Sequence, residues 1–164
     1  MANIGWGKPR IFIKDADDTS SKWIELPTGV ENTTTLSTTK GDKVEAKIEG
    51  GENEDVRYNR NTYALSLEIR AAKNRQRPIP DEDGIVAHNY TVVLQPEDAE
   101  VAGFKIPYSR VSIEDGWSSE NGGTWIYTFD ALKQDLETKQ LMWGLVSVTG
   151  SGDNLSVTFN DGDF

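Results

Sequence analysis

The chain has no cysteine, a single histidine and only two methionines among its 164 residues. Without cysteine there is no disulfide, no thiolate nucleophile and no sulfur ligand for zinc, and the lone imidazole of His88 has no second one to pair with. No serine stands in a Gly-x-Ser-x-Gly elbow, so a hydrolase triad around His88 has no sequence support. No apolar run approaches the length of a membrane-spanning helix, and no membrane partner is expected. Met1-Ala2-Asn3-Ile4-Gly5-Trp6 has neither the basic segment nor the apolar stretch of a secretory leader, which points to a product made and first kept in a cytoplasm. The acid clusters Asp15-Ala16-Asp17-Asp18, Asp81-Glu82-Asp83-Gly84 and Asp161-Gly162-Asp163 miss the spacing of a twelve-residue calcium loop and read as solvated turns. The expectation is a protein that is not an enzyme, with no catalytic, cofactor-binding or metal-binding residue to nominate and no cofactor.

What the chain does have is acid and β pattern. Asp and Glu number 27 against 17 Lys and Arg, for a net charge of −10, and a body this acidic repels phosphate backbones and anionic lipid alike. The one basic cluster, Arg70, Lys73, Arg75 and Arg77, runs into Asp81-Glu82-Asp83 and reads as a loop of self-compensating charge. With 36% apolar and 27% charged residues the composition is that of a globular protein. A chain of this length buries roughly 70% of its extended surface, so residues 1–164 are expected to form a single domain with its own core.

Apolar residues alternate with polar ones in residues 10–14, 23–26, 43–49, 62–70, 89–94, 104–113, 124–129, 145–149 and 155–159, the period of half-buried strands. In Lys43-Val44-Glu45-Ala46-Lys47-Ile48-Glu49 small apolar residues alternate with charges of both signs. In residues 62–70, Tyr63, Leu65, Leu67 and Ile69 share one face. Between those two runs, Gly50-Gly51-Glu52-Asn53-Glu54-Asp55 is too polar and Gly-rich to pack, so the pair reads as an assembly surface with no chemical site in it. The last two runs form a hairpin across Gly150-Ser151-Gly152-Asp153-Asn154, residues that tolerate positive φ.

Two segments invite a helix. Residues 96–102 begin with Pro96 and acids and stop at Gly103, and residues 130–139 place Phe129, Leu132 and Leu136 at helical spacing behind a possible Asp130 cap. The second segment fits an extended polar loop equally well. The fold class expected is therefore mainly β: a β-sandwich or barrel of two packed antiparallel sheets, with one short flanking helix and a long early inter-strand loop.

Five tryptophans raise a binding alternative. Trp125 and Trp143 sit inside strand patterns and are expected in the core, while Trp6 and Trp117 lie in loops and are candidate platforms for a sugar ring, as in a carbohydrate-binding β-sandwich module.

The order of pieces resembles the major tail tube proteins of long-tailed bacteriophages and of prophages. The residues that carry it are Thr35-Leu36-Ser37-Thr38-Thr39-Lys40-Gly41-Asp42-Lys43 running into Ala46-Lys47-Ile48-Glu49-Gly50-Gly51, then Asn61-Thr62-Tyr63-Ala64-Leu65-Ser66-Leu67-Glu68-Ile69. Val92-Val93-Leu94-Gln95-Pro96-Glu97-Asp98, Gly103-Phe104 and Tyr127-Thr128-Phe129-Asp130-Ala131-Leu132-Lys133 follow. The resemblance covers most of the chain from about Pro9 to Ser147 by order and pattern; residues 130–140, longer and more helix-like than a plain connector, depart from it.

The resemblance implies a structural subunit of the virion tail, made in the bacterial host cytoplasm. Six copies would close a ring, rings would stack, and DNA would pass through the lumen without specific binding. Other tail proteins, such as a tape measure or terminator, would be partners. The loop that reaches toward the neighbouring ring in that family corresponds here to Thr38, Thr39, Lys40, Gly41, Asp42 and Lys43, continuing through Glu49, Gly50, Gly51, Glu52, Asn53 and Glu54. Six copies together would carry about −60, and a lumen biased to acid would let DNA slide without adhering.

Overall fold

The computed structural model describes residue 4, residues 6–135 and residues 138–161. Among these lie strands β1 (Arg10–Asp15), β2 (Ile24–Glu25), β3 (Thr35–Thr39), β4 (Lys43–Lys47), β5 (Asn53–Tyr58) and β6 (Thr62–Arg70). They are followed by β7 (Tyr90–Gln95), β8 (Gly103–Ser118), β9 (Gly122–Ala131), β10 (Met142–Thr149) and β11 (Ser156–Asn160). One large antiparallel sheet runs β2-β1-β7-β8-β9-β6-β3, with β10 joined to β8 and β11 to β10; β4 and β5 form a small second sheet of their own.

The core follows from side-chain alternation. Leu65, Leu67 and Ile69 of β6 point to one face and are fully buried, beside Tyr127 and Phe129 of β9 in the register Leu65↔Phe129 and Leu67↔Tyr127. Ile11 and Ile13 of β1 and Val92 of β7 join the same cluster. Each such side chain contributes about 1.5–3 kcal/mol on burial. The sheet curls enough that Leu36 and Leu65, from one end of the strand order, line a cavity of about 180 Å³ together with Leu94 and Phe104.

The sixteen-residue β8 joins the two halves of the sheet. Its first part pairs with β7 on one side and β10 on the other, and its second part forms a continuous ladder with β9 from Ser109↔Ala131 to Ser118↔Gly122. The register against β7 shifts between Tyr90 and Val92. Pro107, which has no N–H to give the ladder, lies at this irregularity. Phe104 and Ile106 enter the core before it, and Val111 and Ile113 after it, so the bulge resets which parity faces inward.

Phe12 and Val93 lie on the opposite face of β1 and β7 and are also fully buried. The β10–β11 hairpin closes over this side, where Gln95 Nε2 donates to the Val146 carbonyl at 2.9 Å. The hairpin expected across Gly150–Asn154 is present, and its register is Val146↔Phe159 and Val148↔Val157. Lys105 shares this face, and burial pushes its ammonium pKa down, with Lys14 acting in the same direction.

The connection from β6 to β7 is pinned at its basic cluster. Arg77 Nη2 lies 2.8 Å from Asp81 Oδ1 and 2.9 Å from Asp115 Oδ1, with its guanidinium 5.6 Å from the Trp125 ring centroid, while Ile79 and Val86 are buried in the core. Charge compensation between Arg77 and the acids after Pro80 is thus realised, and Asp115 from β8 adds to it.

The flanking helix is reduced to a 3-10 turn at Gly152–Asn154, in the β10–β11 connection. Residues 96–102 form turns: Asp98 satisfies the local donors itself, its Oδ1 accepting from Glu100 N at 3.0 Å and its carbonyl from Val101 N at 3.1 Å. Asp130 and Ala131 belong to β9, and residues 132–135 and 138–140 are not helical; Leu136 and Glu137 fall outside the described residues. Of the acid cluster Asp161-Gly162-Asp163, only Asp161 is described.

Candidate functional site: the β4–β5 hairpin and its base

The early inter-strand segment is a hairpin. β4 pairs with β5 through Lys43↔Tyr58, Val44↔Arg57, Glu45↔Val56 and Ala46↔Asp55, and reaches Lys47↔Asn53 after a bulge. The polar run after Gly51 therefore supplies the first half of β5, and residues 43–47 pair with that strand rather than with residues 62–70. β6 instead pairs with β3 and β9. Backbone hydrogen bonds hold β5 in place; Val56 is its only half-buried residue.

Nothing in the main sheet pairs with this hairpin. All five residues of β4 are exposed, and so are the apolar Val44, Ile48 and Tyr58. An isolated two-stranded hairpin is marginally stable in water, because its ladder encloses no apolar surface. Charge supplies local order: Glu45 lies 2.7 Å from Lys43 Nζ and 3.5 Å from Lys47 Nζ. The Lys43 ammonium holds the Glu45 carboxyl below the usual carboxylate range, and Glu45 raises Lys43 in return.

The nominated residues fall into two groups, one at each end. Thr38 and Thr39 close β3 against Tyr63 and Thr62, Lys40 Nζ sits 5.0 Å from the centroid of the Tyr58 ring, and Gly41 N donates to Asn61 Oδ1 at 3.0 Å. The Asp42 carbonyl accepts from Asn59 N at 2.9 Å, and Lys43 opens β4. A Cβ on Gly41 would run into the Asn59 carbonyl, so the two chains cross here at a distance only glycine allows. At the other end, Glu49, Gly50, Gly51 and Glu52 form the tip, and Asn53 and Glu54 begin β5. Gly50 and Gly51 take φ of 97° and 87°, and Ile48 N donates to the Glu52 carbonyl at 3.0 Å.

The base of the hairpin borders a pocket of about 490 Å³, lined by Tyr58, Asn59, Arg60, Asn61 and Tyr63 from one stretch and by Lys133, Lys139, Gln140 and Leu141 from another. Three cations and, among the described residues, no acid line it. Lys133 Nζ donates to the Thr138 carbonyl, a neutral acceptor. Sequence reading missed this pocket because its two halves are some seventy residues apart in a chain of the opposite overall charge.

A second cluster joins Asp15, Asp17 and His88, whose ligand-type atoms lie within 4.8 Å of one another. His88 Nδ1 is 2.8 Å from Asp15 Oδ2. Asp17 accepts from Asn89 N at 2.9 Å and from Tyr108 Oη at 3.1 Å, and the Asn89 amide above all holds its carboxyl below the usual range. The protein's own donors thus hold these side chains, which close the turn after β1 onto the start of β7.

Trp6 and Trp117 are 80% and 77% exposed. They do not meet: Trp6 lines the cavity beside Phe104 at the start of β8, and Trp117 lies near the end of the same strand, roughly 40 Å away along its length. Trp125 packs against the core as expected, whereas Trp143 is 47% exposed and rests edge-on against Phe104, with ring centroids 5.5 Å apart. Comparison of the chain with protein-family models and with curated proteins gives no match.

Proposed function

We propose that this chain is a structural subunit that assembles with copies of itself into rings, and that the rings stack into a phage tail tube through which DNA passes. The observation that carries the reading is the β4–β5 hairpin: a two-stranded sheet with Val44, Ile48 and Tyr58 exposed and no cover among the described residues. Such an element becomes stable when another molecule covers it, and identical copies related by rotation give every hairpin the same cover. The acidic charge fits a conduit that repels phosphate, and the partners on this reading are further copies and other tail proteins such as a tape measure or terminator. A sugar-binding module built on Trp6 and Trp117 is less well supported, since residues at opposite ends of β8 cannot stack on one ring.

Negative-stain electron micrographs across a concentration series, with light scattering on the same samples, test the reading. Hollow rings or tubes with a regular subunit repeat are the expected result. A monomer that persists at every concentration, and also when mixed with lysate from cells producing a tail-terminator protein, would refute it.

A further inference from the structure

We infer that the basic pocket at the base of the β4–β5 hairpin receives the acidic tip of the same hairpin from another copy, a contact that rests on the assembly reading and specifies its chemistry. The hairpin is electrostatically graded along its length. Around the tip stand Glu49, Glu52, Glu54 and Asp55, all exposed and none in an ion pair among the described residues. In the middle, Glu45 takes up Lys43 and Lys47. At the base, Arg60, Lys133 and Lys139 line the pocket, and none of them has an ion-pair partner among the described residues. In a chain of net charge −10, three cations gathered with no acid among the described lining residues leave a place for a carboxylate.

The tip cannot fill its own pocket. β4 has five residues, which at about 3.3 Å each holds the tip roughly 17 Å from the base. The complement must come from a second copy. Asn59, Asn61 and Gln140 add amide donors to the cations, and Tyr58 and Tyr63 give the pocket an aromatic wall against which Ile48 can pack. In a ring or stack the contact runs head-to-tail: each copy that gives its tip to one neighbour offers its pocket to the next, and the series propagates.

The absence of cysteine makes the contact directly testable. Asn53→Cys places a thiol at the tip with all four acids kept, and Gln140→Cys places one in the pocket. The two full-length variants, one carrying a mass tag, are mixed under mild oxidation and resolved without reductant. The expected result is a tip-to-pocket heterodimer exceeding either homodimer by roughly tenfold, as held neighbours have a high effective concentration. The excess should fall with added salt. Introducing Glu49→Lys with Glu52→Lys in the tip variant, or Arg60→Glu with Lys139→Glu in the pocket variant, should abolish the excess, and combining both reversals should restore it. A statistical mixture of dimers, or an excess indifferent to charge reversal, overturns the inference. Micrographs of the same samples separate it from the reading beneath it: tubes without the heterodimer reject the pocket contact alone, and the heterodimer without rings keeps the contact and rejects the tube.

Discussion

The β4–β5 and β8–β9 hairpins share a backbone pattern and differ in everything else. Both are antiparallel ladders closed by a turn containing glycine at positive φ. β8–β9 buries Val111, Ile113, Tyr127 and Phe129 and is flanked by β7, β10 and β6, while β4–β5 has only the half-buried Val56 and no flanking strand. The contrast teaches that hydrogen-bond ladders fix geometry in this chain and apolar burial supplies the stability.

Hydrogen exchange on the free subunit should draw the sharpest line between them. Amides of β9 facing β6 should be protected by roughly 10³-fold or more, those of β4 and β5 close to unprotected. Equal protection in a verified monomer would mean that the hairpin has a cover within its own chain. Truncation should reproduce the contrast at smaller scale. Phe129→Ala should cost about 3–5 kcal/mol in denaturant unfolding, because it opens a cavity under β6, whereas Val44→Ala should change the same midpoint by less than about 0.5 kcal/mol.

Glycine substitutions probe close approaches in the two regions. A Cβ on Gly103 would strike the Leu94 carbonyl inside the main sheet, so Gly103→Ala should destabilise the whole fold by about 1–3 kcal/mol. Gly41→Ala, which meets the Asn59 carbonyl, should reorient the hairpin and leave the global midpoint nearly unchanged; a cooperative loss of the entire fold would show the hairpin to be integral to it.

The smallest effect expected is in acid. Asp17 has a folded pKa below its unfolded value, so its contribution to stability is present above about pH 4 and is lost as pH falls through the folded value. Asp17→Asn should flatten this part of the acid limb of an unfolding titration. Glu45 is lowered in the same sense, but Glu45→Gln should leave global acid unfolding as it was and act only on hairpin exchange.

Legibility in the sequence followed burial. β6 was readable to the residue because Leu65, Leu67 and Ile69 alternate over a full core face. β3, Thr35–Thr39, and β5, Asn53–Tyr58, carried no such signal, since Leu36 is the one apolar residue in the first and the second is a strand without a buried face. The acids after Pro96 have a helix-start composition, and Asp98 spends it on a turn. Of the candidate site, the hairpin residues were legible as polar and Gly-rich, but their pairing was not, and the basic pocket needed the fold to bring Arg60 beside Lys139.

The strand order also constrains how the molecule is made. β1 can pair with β2 and β6 with β3 early, but β1 gains its long partner β7 only later, as Arg10 meets Gln95, and β6 its second partner only with β9. A ribosome that has produced the first half of this chain has therefore released Ile11, Phe12, Ile13, Leu65 and Leu67 in strands that each still lack one of their two flanking strands. In the large sheet β1–β2 can close first and β3–β6 once β6 is made, with the separate β4–β5 hairpin complete between them; β7–β8, β8–β9 and β10–β11 close only in the second half. Folding is expected to be slow and post-translational in character, gated by the arrival of β8 and β9, with the nascent apolar strands open to aggregation or chaperone capture until then.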